Sequence, residues 1–149
     1  MEAAARELET SLTCRPDDYA SHYNLGNLFM SRRDPARAVA AFETSIRLRP
    51  DVIPPRINAS LAYNLLGRNR EAEESLRRVL ALDPGSLPAN LNLGMLLGEL
   101  GRLPEAAAAF RAALKADPTS APAAYNLGVL VARDRLEEAV SLCRRAAEL

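Results

Sequence analysis

Residues 87–120 read LPANLNLGMLLGELGRLPEAAAAFRAALKADPTS, and their last proline, Pro118, is one of four that recur 34 residues apart: Pro16, Pro50, Pro84 and Pro118. A fixed period of this length marks a helical repeat in which each unit stacks on the next. Laying the 34-residue frame outward from this stretch gives full repeats at 19–52, 53–86 and 87–120. A half repeat at 1–18 precedes them and a shortened repeat at 121–149 follows, so one array accounts for the whole chain.

The columns of the frame are apolar and small where helices must meet. Leu25, Ala59, Leu93 and Leu127 align, followed at once by Gly26, Ser60, Gly94 and Gly128. Ala38, Ala72 and Ala106 recur in step, then Phe42, Leu76 and Phe110, then Ile46, Leu80 and Leu114. Ala4, Leu8 and Leu12 fill the matching columns of the half repeat, which supplies only a second helix. In the last repeat Ala139, Cys143 and Ala147 arrive one residue early, which predicts a tightened turn around Asp134. The total is nine helices in an all-α chain.

Boundary residues agree. Gly67 and Gly101 suit the left-handed conformation that ends a helix, and the first full repeat departs from them with Arg33 at the equivalent place. Asp34-Pro35 reads as an N-cap followed by proline at the first helical position. Pro54, Pro88 and Pro122, again 34 apart, stand where each new first helix begins. The composition, rich in alanine, leucine, arginine and glutamate with 5% aromatic residues, favours helix over strand.

The stretches HYNLGNLFMSRRDPARAVAAFETSIRLRP (22–50) and NLNLGMLLGELGRLPEAAAAFRAALKADP (90–118) resemble the tetratricopeptide repeat family over essentially the full chain. The resemblance implies a right-handed superhelical array of antiparallel helix pairs, with first helices lining a concave surface and second helices outside. The family's bulky first-helix position is filled instead by His22, Arg56, Asn90 and Ala124.

At about 100° per residue, one stripe of each first helix faces away from the packing columns. Asn24, Asn58, Asn92 and Asn126 lie on it, 34 residues apart, joined by Asn27 and Asn64. A carboxamide both donates and accepts, so it can pair with the backbone of an extended peptide whatever its side chains. The remainder of the stripe is mainly apolar: Tyr23, Ile57, Leu61, Leu91, Met95, Tyr125 and Val129. These positions, Val129 aside, together with the six asparagines form the candidate partner-binding set. The ladder is similar to that of the O-GlcNAc transferase repeat region, which implies contact with an extended peptide. The alternative reading is structural: each asparagine bridges neighbouring first helices.

Other functions are disfavoured. The 19 basic and 19 acidic residues cancel, leaving no field to draw nucleic acid or an anionic membrane. Cys14 and Cys143 stand far apart without metal-ligand spacing, and no cofactor-binding motif occurs. The single histidine, His22, occupies a packing position, so no catalytic residue is expected and the chain reads as a non-enzyme. Asn27 and Asn58 match part of the clamp that some relatives use for acidic chaperone tails. Tyr23, Pro88 and Asn92 occupy the places of its Lys and Arg, which argues against that ligand. Without a visible export signal or apolar span, a cytoplasmic location is the default. The expected partner is a protein or peptide in extended conformation. The alternative is self-association, end to end through the C-terminal helix, or a place as the repeat segment of a larger protein.

Overall fold

Three residues with positive φ decide where the first helices stop: Arg33 at 58°, Gly67 at 71° and Gly101 at 73°. In each case the next N–H reaches back to the helix: Asp34 to the Phe29 carbonyl, Arg68 to that of Tyr63 and Arg102 to that of Leu97, all at 2.9 Å. This closure satisfies carbonyls that the helix end would leave open. Glycine adopts the geometry without strain, whereas Arg33 carries the Cβ penalty of the left-handed region, roughly 1–2 kcal/mol.

The computed structural model describes residues 17–147, with side chains for 17–133, 135 and 136. Residues 1–16, most of the expected half repeat with its columns Ala4, Leu8 and Leu12, lie outside the described residues. Two compact units divide after Pro84. The first unit holds α1 (Tyr19–Ser31), α2 (Pro35–Leu48), α3 (Ile53–Leu65) and α4 (Asn69–Leu82). The second holds α5 (Leu87–Glu99), α6 (Leu103–Ala116) and α7 (Ala121–Ala147). In the first unit, successive helices pack on one another and α1 also touches α3; in the second, α6 packs on both neighbours and α5 touches α7.

Asp34 caps α2 by accepting from the Arg37 N–H at 3.1 Å, with Pro35 opening the helix. Arg68 and Arg102 take the same place before α4 and α6, pairing at 2.8 Å with Glu71 and Glu105 three residues on. Pro54 and Pro88 fall in the first turns of α3 and α5, and Pro122 near the start of α7, where their missing N–H costs no helical bond. Second helices are tied to first ones by polar contacts as well: Ser45 Oγ donates to the Tyr19 carbonyl at 2.8 Å, and Tyr63 Oη to Glu43 Oε1 at 2.6 Å. Burial, then the bond to Glu43, push the Tyr63 phenol pKa well above its ordinary value.

The small-residue column lets each pair close. A Cβ placed on Gly26 would lie 2.4 Å from Phe42 Cε1, and one on Gly94 would lie 2.6 Å from Phe110 Cε1. Both rings are buried, Phe42 completely, so neither can swing aside. The equivalent pair in the second full repeat is Ser60 with Leu76: a larger residue opposite a smaller one, both buried.

One expectation is corrected. No turn interrupts the chain around Asp134; α7 runs unbroken through Ala121–Ala147, and the described residues hold seven helices where nine were expected for the whole chain. The stretch Ala132-Arg-Asp-Arg-Leu-Glu-Glu138 offers no glycine for a left-handed stop and no proline for a restart, only residues compatible with continued helix. Accordingly Gly128 faces no second helix: a Cβ there would meet nothing within 4 Å among the described residues. No helix of the described residues is long and apolar enough to cross a membrane.

This difference between glycines of one column gives a direct check. Gly94→Ala should destabilise the fold by about 1–3 kcal/mol through overpacking against Phe110. Gly128→Ala should be neutral or stabilising by up to about 1 kcal/mol, from helix propensity alone. Chemical denaturation of the two variants reads both.

Candidate partner-binding surface

On the first unit, the candidate residues sit on α1 and α3, with Tyr23, Asn24 and Asn27 on one helix and Ile57, Asn58, Leu61 and Asn64 on the other. Asn58 joins the two. Its Nδ2 donates to Asn27 Oδ1 at 2.6 Å and, more weakly, to Tyr23 Oη at 3.4 Å. That is the bridging arrangement, and it consumes the Asn58 donors. Its Oδ1 accepts no hydrogen bond among the described residues and stays available. Asn24 is exposed and its carboxamide has no side-chain hydrogen bond among the described residues. Leu61 is exposed beside this polar stripe, while Ile57 is half-buried.

On the second unit, Leu91, Asn92 and Met95 lie on α5, and Tyr125 and Asn126 on α7. Asn126 turns its Nδ2 back to the Pro122 carbonyl of its own helix at 2.8 Å, leaving an acceptor. Asn92 is half-buried with no side-chain hydrogen bond among the described residues. Met95 and Asn126 line one hollow of about 290 Å3, whose other walls include Gly94, Gly98, Phe110 and Val129. The ladder is therefore chemically uneven: Asn24 and Asn92 keep their full donor and acceptor capacity, Asn126 keeps its acceptor and one N–H, and Asn58 offers only the acceptor.

Gly98 and Phe110 were missed as parts of this surface. Gly98, one turn after Gly94 on the same face of α5, leaves room for the hollow, since a Cβ there would meet only Ala106 Cβ at 4.0 Å, while at Gly94 the Phe110 ring takes the space. The spacing of the two glycines was the available signal. His22 is half-buried on α1, as its packing position implies, and Asn90 is buried with its Nδ2 on the Ser86 carbonyl at 3.1 Å. Among the described residues no group of three or more His, Cys, Asp or Glu could hold a metal ion.

Paired helices with small-residue closure and a carboxamide-bearing first-helix face define a helix-pair repeat protein. The tetratricopeptide repeat model matches residues 2–53, 59–121 and 91–149, and the chain belongs to that family. Among solved structures, MamA superposes with a TM-score of 0.84 at 21% identity, covering 97% of this chain and 85% of MamA. The TPR domain of Arabidopsis OM64 superposes at 0.72 with 26% identity, covering 75% of this chain and 93% of that one. The second TPR domain of human RPAP3, in complex with the HSP70 peptide SGPTIEEVD, superposes at 0.69 with 24% identity, covering 73% and 91%. No curated protein matches the chain by sequence comparison.

The uneven ladder separates structural from free asparagines. Asn58→Ala should lower stability by about 1 kcal/mol, the usual net worth of a lost hydrogen bond, whereas Asn24→Ala should stay within about 0.5 kcal/mol of the parent. Thermal unfolding of the two single variants distinguishes them.

Proposed function

We propose that this chain is a non-catalytic interaction scaffold that holds an extended segment of a partner protein against its first-helix faces. The observation that carries this is, on each unit, carboxamide hydrogen-bonding capacity left over beside exposed apolar side chains: Asn24 and the Asn58 acceptor with Leu61 on the first, Asn92 and Asn126 with Met95 and its hollow on the second. Free donors and acceptors on a first-helix face suit a peptide backbone, which repeats its own N–H and C=O, and the hollow suits an apolar side chain. The asparagine ladder that this one resembles contacts extended peptides in the same way.

Magnitudes assign the roles. At about 0.5–1.5 kcal/mol per hydrogen bond, four carboxamides contribute roughly 2–6 kcal/mol before the cost of association. Binding then depends on the apolar positions for strength and on the asparagines for register. RPAP3 is bound to an HSP70 peptide ending in EEVD. This chain lacks the basic partners for such a tail, with Tyr23, Pro88 and Asn92 at those places, and its two matching residues, Asn27 and Asn58, are bonded to each other. The ligand proposed is therefore a neutral extended segment.

A second reading, self-association, draws on α7, where Tyr125 is 72% and Leu136 65% exposed. Concentration-dependent mass in light scattering, abolished by Leu136→Glu, would support it.

The main reading is tested by selecting binders from a library of random peptides displayed on phage and measuring one by fluorescence anisotropy. The Asn24→Ala/Asn92→Ala double variant should bind it about tenfold more weakly with an unchanged melting temperature, the loss of one to two hydrogen bonds. Unchanged affinity would contradict the ladder as a binding element.

A further inference from the structure

The charged face of α4 holds a cleft that neither the ladder nor the repeat architecture explains. Its volume is about 650 Å3, and its lining includes Arg56, Arg70, Arg77 and Arg78 around Pro50 and Leu82. Glu73 and Glu74 also line it, so the cleft holds two more cations than anions although the whole chain is neutral.

The pairing is unequal. Arg77 and Glu73 form a close ion pair at 2.6 Å, but Arg78 reaches Glu74 only at 3.4 Å, with both side chains exposed. Arg70 is exposed and makes no hydrogen bond or ion pair among the described residues. Arg56 has no carboxylate partner among them either. It is half-buried and fixed in place, with Nε and Nη2 both donating to the Pro50 carbonyl at 3.3 and 3.0 Å. Burial, and then the charge of Arg78, lower its pKa, as befits a guanidinium short of a counter-charge.

The molecule contains its own controls. One period later, the places of Arg70, Glu73, Glu74 and Arg78 are taken by Pro104, Ala107, Ala108 and Ala112, and that of Arg56 by Asn90. One period earlier, Arg56 and Arg78 correspond to His22 and Thr44. The next helix pair forms without counterparts of Arg56, Arg70 and Arg78, keeping only Arg111 in the place of Arg77, so pairing does not require those three. Arg56 also stands where the family resemblance calls for a bulky packing residue, and its charge is a desolvation cost that a ligand can offset.

We propose that this cleft is a second docking site, taking a carboxylate-bearing peptide segment of a protein partner in which an apolar residue adjoins the acid. Guanidinium groups pair with carboxylates through two parallel hydrogen bonds, and a fixed guanidinium such as Arg56 loses little freedom in doing so. Leu82, 54% exposed, and Pro50 supply an apolar wall beside them. Arg56 and Asn58 are two residues apart on α3, so their side chains leave the helix on different sides, and this site is separate from the first-helix face.

The test uses the full chain and a short fluorescein-labelled peptide of alternating Glu and Leu, with a Gln-for-Glu peptide as control. Fluorescence anisotropy should show binding of the acidic peptide that weakens as salt rises. Arg70→Glu, at an exposed residue that makes no hydrogen bond or ion pair among the described residues, should weaken it at least about tenfold while leaving the melting temperature unchanged, and Arg56→Gln should weaken it likewise. The Asn24→Ala/Asn92→Ala variant should bind the acidic peptide like the parent, so this proposal and the ladder proposal fail separately. Equal binding of the Gln peptide, indifference to Arg70→Glu, or loss of binding in the asparagine variant would each overturn it. So would displacement by inorganic phosphate at constant ionic strength, which would assign the cleft to phosphate-bearing ligands.

Discussion

The closure of a phenylalanine ring onto a glycine backbone is the constraint from which the rest of this structure follows. Phe42 against Gly26 and Phe110 against Gly94 bring a second helix so near to a first helix that no Cβ fits between them. Close approach fixes which stripe of the first helix is covered, and hence which stripe remains open. The open stripe carries the carboxamides: Asn24 on α1 is exposed and Asn92 on α5 half-buried. Ser60 and Leu76 show the same constraint met by trading volume across the pair. Gly128 shows what happens when no turn follows: α7 continues to Ala147, and a Cβ on the glycine would meet nothing within 4 Å among the described residues.

The helix pairs were legible because their signals are local and repeated. The prolines recur at 34 residues, the left-handed stops fall at Arg33, Gly67 and Gly101, and Asp34-Pro35 is a complete N-terminal signal. Where the last repeat departs from that frame, periodicity was a poor guide. Ala139, Cys143 and Ala147 suggested a second helix and a turn before it, but the residues at Asp134 carry no turn chemistry, and local helix propensity prevailed. Nothing in the composition announced the division after Pro84, because each unit keeps the same repeat.

The candidate surface was legible as a stripe and not as a set of bonds. Spacing placed Asn24, Asn58, Asn92 and Asn126 on equivalent faces, yet it could not tell that Asn58 gives its donor to Asn27 while Asn126 gives its own to Pro122. Those choices depend on what the neighbouring helix presents. The α4 cleft was invisible for a related reason: only the fold shows that Arg56 from α3 joins Arg70 and Arg78 without a carboxylate of its own. A repeat thus standardises the packing and leaves the outward residues of each copy free to differ.

A double-mutant cycle on Gly26 and Phe42 tests the governing constraint most directly. If ring-on-backbone closure sets the geometry, Gly26→Ala should be costly in the parent and nearly free in a Phe42→Leu background, with a coupling of about 0.5–3 kcal/mol in the free energy of unfolding. Additive losses, with no coupling between the two positions, would contradict it.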